Sequence, residues 1–527
     1  MARKPREWVR FLWVLCVTVG CINQAWPVEP GDVVFQTDFA AQTEQALWSN
    51  APYARWIQSS ESVTLSVQAA SDKASDTHMI SKPLTLKPWA GCELLFQCRV
   101  KALNVTRPAQ SYLGVKYMLH YDALSSGPVW LNENDVYGTF DWKTLSFSVR
   151  LPDDVKNAQL NLGLQGSSGS VWFDEVCVTV LSLPRKPRPA PLDNPGPVFR
   201  GHDLPRLRGV MSPNAFSKED LRVLGQEWHA NLIRWQITRN WGQVGTERDL
   251  EEYDQWFTKE LSDLDLVLDA CEKFGIKVVI DMHSPPGGRY ENSDLAIFHE
   301  PLYQDKFVAL WEQMARRYRG HPAIWAYDLI NEPVQNKPSP SGVPDWLGTQ
   351  VRAARAIRAI DPNRAIVIAA AKWDSADGFR DLDTVDVPNV IYQTHMYFPH
   401  AFTHQGVSNA VTGISFPGKI NGQWCDKNTL RDHLKPVREF QLAYNVHIYA
   451  GEFSAIRWAP GDSAYQYLKA AIELFEEYGW DWSYHAYREW DGWSVEHGPD
   501  PNDHTPSTQP TDRKKLLLKW FGQNEKP

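Results

Sequence analysis

From about Gly31 to Leu181 apolar and polar residues alternate with a period of two. "TLSFSVRL" puts Leu145, Phe147, Val149 and Leu151 on one face, and "AQLNLGL" does the same with Ala158, Leu160, Leu162 and Leu164. Helical stretches are scarce here, so the pattern predicts a sandwich of short antiparallel strands. The pattern then stops. "LPRKPRPAPLDNPGPV" places six prolines between Leu183 and Val198, and such a run enters neither sheet nor helix, so it reads as a semi-rigid spacer.

Beyond the spacer, apolar strands alternate with amphipathic stretches. The strands read "LRGVMS", "ANLIRWQI", "IKVVIDMH", "IWAYDLINE", "AIVIAA", "VIYQTHMY", "VHIYAGEFS" and "WDWSYHAY". Between them lie helices such as "DQWFTKELSDLDLVLDACEKFG", closed by Gly275, and "DWLGTQVRAARAIRAIDPN", stopped by Pro362, while "SKED" from Ser217 to Asp220 reads as a capping box. Eight strands, each followed by a helix, predict an α/β fold, a (β/α)8 TIM barrel preceded by the all-β sandwich of jelly-roll type. A doubly wound open sheet would carry a glycine-rich fingerprint after a strand, and none is present. The expected organisation is a signal peptide at 1–26, the sandwich at 31–181, the proline-rich linker at 182–199 and the barrel at 200–527.

Composition narrows the partners. A chain of 527 residues with 43% hydrophobic content exceeds one ordinary core. The formal charge of -9 comes with no basic run to track phosphates, so nucleic acid is not an expected partner. Twenty-four tryptophans are more than cores need, and they suit a ligand with flat, weakly polar faces, such as a sugar ring. The opening "MARKPREWVRFLWVLCVTVGCI" sets four basic residues before an apolar stretch from Phe11 to Ile22 that is too short to span a bilayer. It reads as a secretory signal with no stable membrane span, with "VGC" at Cys21 a weaker lipoprotein-like alternative. Outside Cys16 and Cys21, five cysteines remain without metal-ligand spacing; Cys92, Cys98 and Cys177 form one disulfide or stay as buried thiols.

The polar exceptions in the barrel strands cluster at the C-terminal ends, where barrels of this type carry their sites. They are Arg234 on strand two, Asp281 and His283 on strand three, Asn331 and Glu332 on strand four, His395 and Tyr397 on strand six, and Glu452 on strand seven; strand eight ends near His485 and Trp490. Asp328, Ile330 and Glu332 share one parity, so Glu332 is expected to project from the strand face that lines the barrel, left at the rim by Pro333. On strand seven Ala450 and Glu452 share a face. Two carboxylates facing one cavity, one holding a proton and one ionised, are what glycoside hydrolysis requires.

With "LINEP" on strand four and "HMY" on strand six, the region from about 200 to 527 resembles glycoside hydrolase family 5, the cellulase-like family of clan A. The ending "GSVWFDEVCVTV" of the first domain resembles the last strand of jelly-roll carbohydrate-binding modules. The family resemblance implies Glu332 as general acid/base and Glu452 as nucleophile. It also implies substrate contacts at Arg234, His283, His395 and Tyr397, and Asn331 is placed to meet a sugar 2-hydroxyl. Many family members carry a tryptophan on strand eight where this chain has His485, which leaves Trp490 or Trp493 to stack on the sugar. Trp373 and Trp241 either stack on glycan or pin loops. Asp281 and Asp328 read as internal partners of cations. His283 and His395 lack zinc-site spacing, so no metal and no cofactor is expected.

The function these residues favour is that of a secreted, monomeric, retaining endo-β-glycosidase acting on a β-1,4-linked polysaccharide or oligosaccharide substrate of glucan type. The rival readings are a β-mannanase, a glycolipid glycanase of the same family, and a non-catalytic glycan-binding protein.

Overall fold

A computed structural model of the chain describes residues 28–59, 62–193, 200–204, 206–240, 243–407 and 410–525. The leader at 1–26, with Cys16 and Cys21, and Trp241 lie outside these residues. Among the described residues no helix is long and apolar enough to cross a membrane.

Among the described residues ten strands build the first domain: β1 (Val33–Thr37), β2 (Ala54–Gln58), β3 (Val63–Ala69), β4 (Thr77–Pro83), β5 (Glu93–Val105), β6 (Gly114–Ala123), β7 (Gly127–Leu131), β8 (Gly138–Arg150), β9 (Lys156–Gln165) and β10 (Gly169–Ser182). One antiparallel sheet runs β2-β3-β10-β5-β8, with β1 also on β10, and the other runs β4-β9-β6-β7. Alternation decides which side chains fill the space between them. Leu65, Val67, Phe96, Val100, Tyr117, Leu119, Leu160, Leu162, Leu164 and Phe173 are buried together, with Phe147 and Val149 packed at the edge of the same core.

Cys92, Cys98 and Cys177 are free thiols, so the disulfide alternative is set aside. Register explains this for the two on neighbouring strands. Cys177 pairs with Gln97, which puts it on the opposite face of the sheet from Cys98.

The second domain is a closed parallel barrel of β11 (Arg208–Met211), β12 (Leu232–Gln236), β13 (Lys277–Asp281), β14 (Ile324–Asp328), β15 (Ala365–Ala369), β16 (Val390–Met396), β19 (Ile448–Phe453) and β20 (Asp481–Tyr484). A small hairpin, β17 (Gly418–Ile420) and β18 (Gln423–Cys425), is inserted after β16. Local chemistry sets the helix ends. Helix Leu250–Phe274 starts where Asp249 accepts from the N–H groups of Glu251 and Glu252, and it stops at Gly275 with φ +71°. Ser217 accepts from the N–H of Asp220, which is half of the expected capping box.

The barrel interior is layered. Leu207, Leu232, Val279, Ala326, Val367, Ile391 and Tyr449 form an apolar floor. Above it Arg234, Asp281 and Asp328 are fully buried. The described residues 183–193 run along the barrel without helix or strand. Arg188 donates to the carbonyl of Leu382 at 3.0 Å, Leu192 N–H donates to Leu442 at 3.1 Å, and Asp381 takes Arg185 at 2.7 Å and Arg150 of the sandwich at 3.0 Å.

Candidate active site

The strand carrying Glu332 ends earlier than its pattern suggests. β14 stops at Asp328, and Glu332 lies in a bend with φ +47°. Its direction is therefore set by a left-handed residue before Pro333 and not by strand parity, a correction to the sequence expectation. A non-glycine residue holds that conformation only when its surroundings impose it. Here Arg289 does so, donating to the carbonyl oxygens of Glu332 at 2.9 Å and Asn331 at 3.3 Å. Glu452 is aimed differently. The register between β16 and β19 slips between Thr394 and His395, pairing Thr394 with Ala450 and His395 with Glu452, so Gly451 is the extra residue of a bulge that re-aims the acid. An added Cβ there would lie 2.2 Å from the Gln393 side chain, which would have to move to admit it.

The two acids meet across one histidine. A carboxylate oxygen of Glu332, a ring nitrogen of His395 and a carboxylate oxygen of Glu452 all lie within 4.8 Å of one another. His395 Nδ1 is 3.0 Å from Glu332 and 3.7 Å from Glu452. These three groups have the spacing of metal ligands, yet their atoms are engaged. Arg234 takes one oxygen of Glu452 at 2.6 Å, the Tyr397 hydroxyl donates to the other at 3.0 Å, and His395 faces Glu332.

Arg234 organises the floor of the site. Its guanidinium bonds Asp328 at 2.7 Å, Asp281 at 3.1 Å and Glu452 at 2.6 Å, and it donates to Asn331 Oδ1 at 3.1 Å. Asn331 Nδ2 faces His283 Nε2 at 3.2 Å, and His283 Nδ1 faces Asp281 at 2.8 Å. The amide of Asn331 is thus fixed from both ends, which leaves one N–H and one lone pair for a ligand. Burial alone would push the Glu452 carboxyl up, but His395, His485, Arg234 and His283 outweigh it and hold it well below the usual carboxylate range. His395 shows the converse. Burial disfavours its charge, but Glu452, Asp374 and Glu332 raise it to about 9.

A cavity of about 210 Å³ opens on the Glu332 side of these groups, lined by Glu332, Asn331, His283, Arg289, Glu247 and Trp373 among others. Trp373 is 45% exposed and lies under the Arg289 guanidinium at 4.7 Å. Trp490 does not line this cavity. It stands edge-on to Trp458 at 5.9 Å and to Trp493 at 5.5 Å, and is 40% exposed where Trp493 is 7%.

Sequence reasoning missed three groups. Arg289 follows the double glycine of "PPGGRY", a loop signal. Asp374 follows Trp373 directly; it accepts from Gln393 at 2.7 Å and lies 3.5 Å from His395. Glu489, four residues after His485, binds that ring at 2.8 Å.

A family model for cellulase (glycosyl hydrolase family 5) matches residues 196–491. Endoglucanase C of Acetivibrio thermocellus is 30% identical over 256 residues, spanning 42% of this chain and 72% of that one. Cellodextrinase A of Ruminococcus flavefaciens is 25% identical over 288 residues, spanning 52% and 81%. A solved structure of Thermotoga maritima Cel5A with cellobiose aligns at 24% identity and TM-score 0.47, covering 61% of this chain and 100% of its own. With the family match extending over more than half of the chain and the barrel in place, this protein belongs to glycosyl hydrolase family 5, the cellulase family.

Proposed function

We propose that the chain is a secreted, retaining endo-β-1,4-glycosidase of β-glucan, with Glu452 as nucleophile and Glu332 as general acid/base. The observation that carries this reading is that an oxygen of each carboxylate lies within 4.8 Å of an oxygen of the other. Retaining enzymes hold theirs about 5–5.5 Å apart, whereas inverting enzymes need about 6.5–9.5 Å to admit a water between them.

The surroundings support the division of labour. Glu452 is kept ionised and its oxygens are aimed by Arg234 and Tyr397, so it can attack the anomeric carbon as the glycosidic bond breaks. Glu332, on the cavity wall, protonates the departing oxygen and then takes a proton from the water that releases the sugar from Glu452. Asn331, fixed by Arg234 and His283, offers its free N–H to the 2-hydroxyl, a contact that strengthens as the ring approaches the oxocarbenium ion. Trp373 provides an open aromatic face beside Glu332 for a neighbouring sugar.

Glucan is preferred over mannan because relatives named endoglucanase and cellodextrinase match over most of their own length. The sandwich is proposed as a carbohydrate-binding accessory. A cavity of about 490 Å³ with Tyr53, Arg55, Gln68, Asn104 and Ser170 in its wall supports this. The leader read in the sequence supports export.

Reducing-sugar release from carboxymethylcellulose, barley β-glucan, glucomannan and galactomannan tests the reading. Activity on the first two with little on galactomannan is expected. Galactomannan as the best substrate would favour the mannanase alternative, and inactivity on all four would remove the endo-glycosidase reading. Retention is checked by NMR of the first-formed anomer.

A further inference from the structure

β20 ends at Tyr484, and the next residue, His485, turns its ring toward Glu452. Its Nε2 lies 2.8 Å from the Glu489 carboxylate, whose side chain is 4% exposed. Its Nδ1 contacts the Tyr397 hydroxyl, the same hydroxyl that donates to Glu452 Oε2 at 3.0 Å. Nδ1 is itself 3.6 Å from that oxygen. Trp493 packs beside the ring at 5.8 Å. The four polar groups form a chain, Glu489–His485–Tyr397–Glu452.

Hydrogen-bond accounting fixes the proton positions. A phenol has a single proton, and an ionised carboxylate only accepts. If that proton goes to Glu452, the Tyr397 oxygen must accept from His485, so Nδ1 carries a hydrogen. Nε2 faces Glu489, so it carries one as well. With Glu489 ionised, the chain is satisfied throughout only when His485 is an imidazolium. We infer that His485, held as the cation by Glu489, is a positioning residue that aims the Tyr397 hydroxyl at Glu452; this rests on the reading of Glu452 as nucleophile.

The groups facing the ring agree with this. Glu489 comes from its own segment, Glu452 from β19, Tyr397 and His404 from the segment after β16, and Glu332 from the bend after β14. Burial opposes charge on His485, but Glu489, Glu452 and Glu332 outweigh it and raise its pKa. His404, against Tyr397 and Trp493, adds no charge, because burial together with His400 and His485 pushes it down to about 3. When His485 loses its Nδ1 proton, that nitrogen turns from donor to acceptor and competes with Glu452 for the phenol proton. Glu452 then loses a cation at 3.6 Å and part of its donor at once. The effect falls on the step in which Glu452 must leave the sugar as a carboxylate.

An aryl β-cellobioside with a good leaving group isolates this event, since its cleavage needs no proton from Glu332 and its slow step uses Glu332 already deprotonated. Wild-type turnover is expected to fall at high pH. Glu489→Gln should move that fall down by about one pH unit or more, the size expected when an opposite charge within hydrogen-bond reach is removed. Adding Glu489→Gln to His485→Gln should move nothing further. An unshifted fall in Glu489→Gln, as titration of His395 alone would give, overturns the proposal, and so does a shift that persists in the double variant. A second readout needs no catalysis. In the full chain labelled with ¹⁵N-histidine, the signal lost in His485→Gln should show both ring nitrogens protonated at pH 7, and a neutral ring there would equally overturn the proposal. Failure of Glu452 as nucleophile would appear separately, as continued turnover by Glu452→Ala.

Discussion

The Arg234 guanidinium holds the Glu452 carboxylate at 2.6 Å while its Nε binds Asp328 at 2.7 Å, both contacts beyond the reach of solvent. One cation is thus shared between the floor of the barrel and the proposed nucleophile. Arg234→Met would leave Asp281, Asp328 and Glu452 buried without their common partner. Removing one member of a buried ion pair costs about 3–5 kcal/mol, so the variant should unfold at markedly lower urea with turnover lost. Unfolding at the wild-type concentration would show that the three acids are compensated elsewhere. Arg234→Lys, with one point charge in place of a planar fork, should fall between the two.

The two glutamates should fail in different ways. With Glu452 as the proposed nucleophile, Glu452→Ala removes the atom that would bond to the sugar, so turnover should vanish on every substrate, and azide should restore only an inverted product. Glu332→Ala should lose about 10²–10⁴-fold on polymer yet release activated aryl groups in a burst, with azide speeding the second phase and giving a retained product. Near-wild-type cleavage of polymer by Glu332→Ala would assign the acid elsewhere.

Trp373 stands half in solvent over the cavity, backed by Arg289. Its replacement by alanine should raise KM for cello-oligosaccharides roughly tenfold, about 1.4 kcal/mol, with kcat on a short aryl glycoside and the melting temperature nearly unchanged. A fall in melting temperature without a change in KM would make it a loop anchor.

The joint between the domains gives a fourth expectation. Deleting residues up to 182 keeps Arg185 and Arg188 on the barrel, so turnover of short soluble substrates should persist while activity on polymer falls. Deleting up to 197 also removes those contacts and should lower the melting temperature further. Equal behaviour of the two truncations would show that the proline-rich segment contributes nothing to the barrel.

The sequence by itself determined the classes of element and their order. Period-two runs such as Leu160, Leu162 and Leu164 bury one face in only one way, and eight apolar strands separated by capped helices, with no glycine-rich fingerprint after any of them, point to a barrel. It also showed that polar residues gather at one end of those strands, because a charge such as Glu452 is tolerated there and excluded from the apolar floor. Tertiary structure decided how those residues are aimed. The left-handed turn at Glu332 is held by Arg289, which lies 43 residues away in the chain, and the bulge at Gly451 packs against the Gln393 side chain of the neighbouring strand. The union of Glu489, His485, Tyr397 and Glu452 needs segments from three barrel strands. Such contacts leave no periodic trace in a single chain, because each partner is chosen by proximity across the closed barrel and not by its neighbours in sequence.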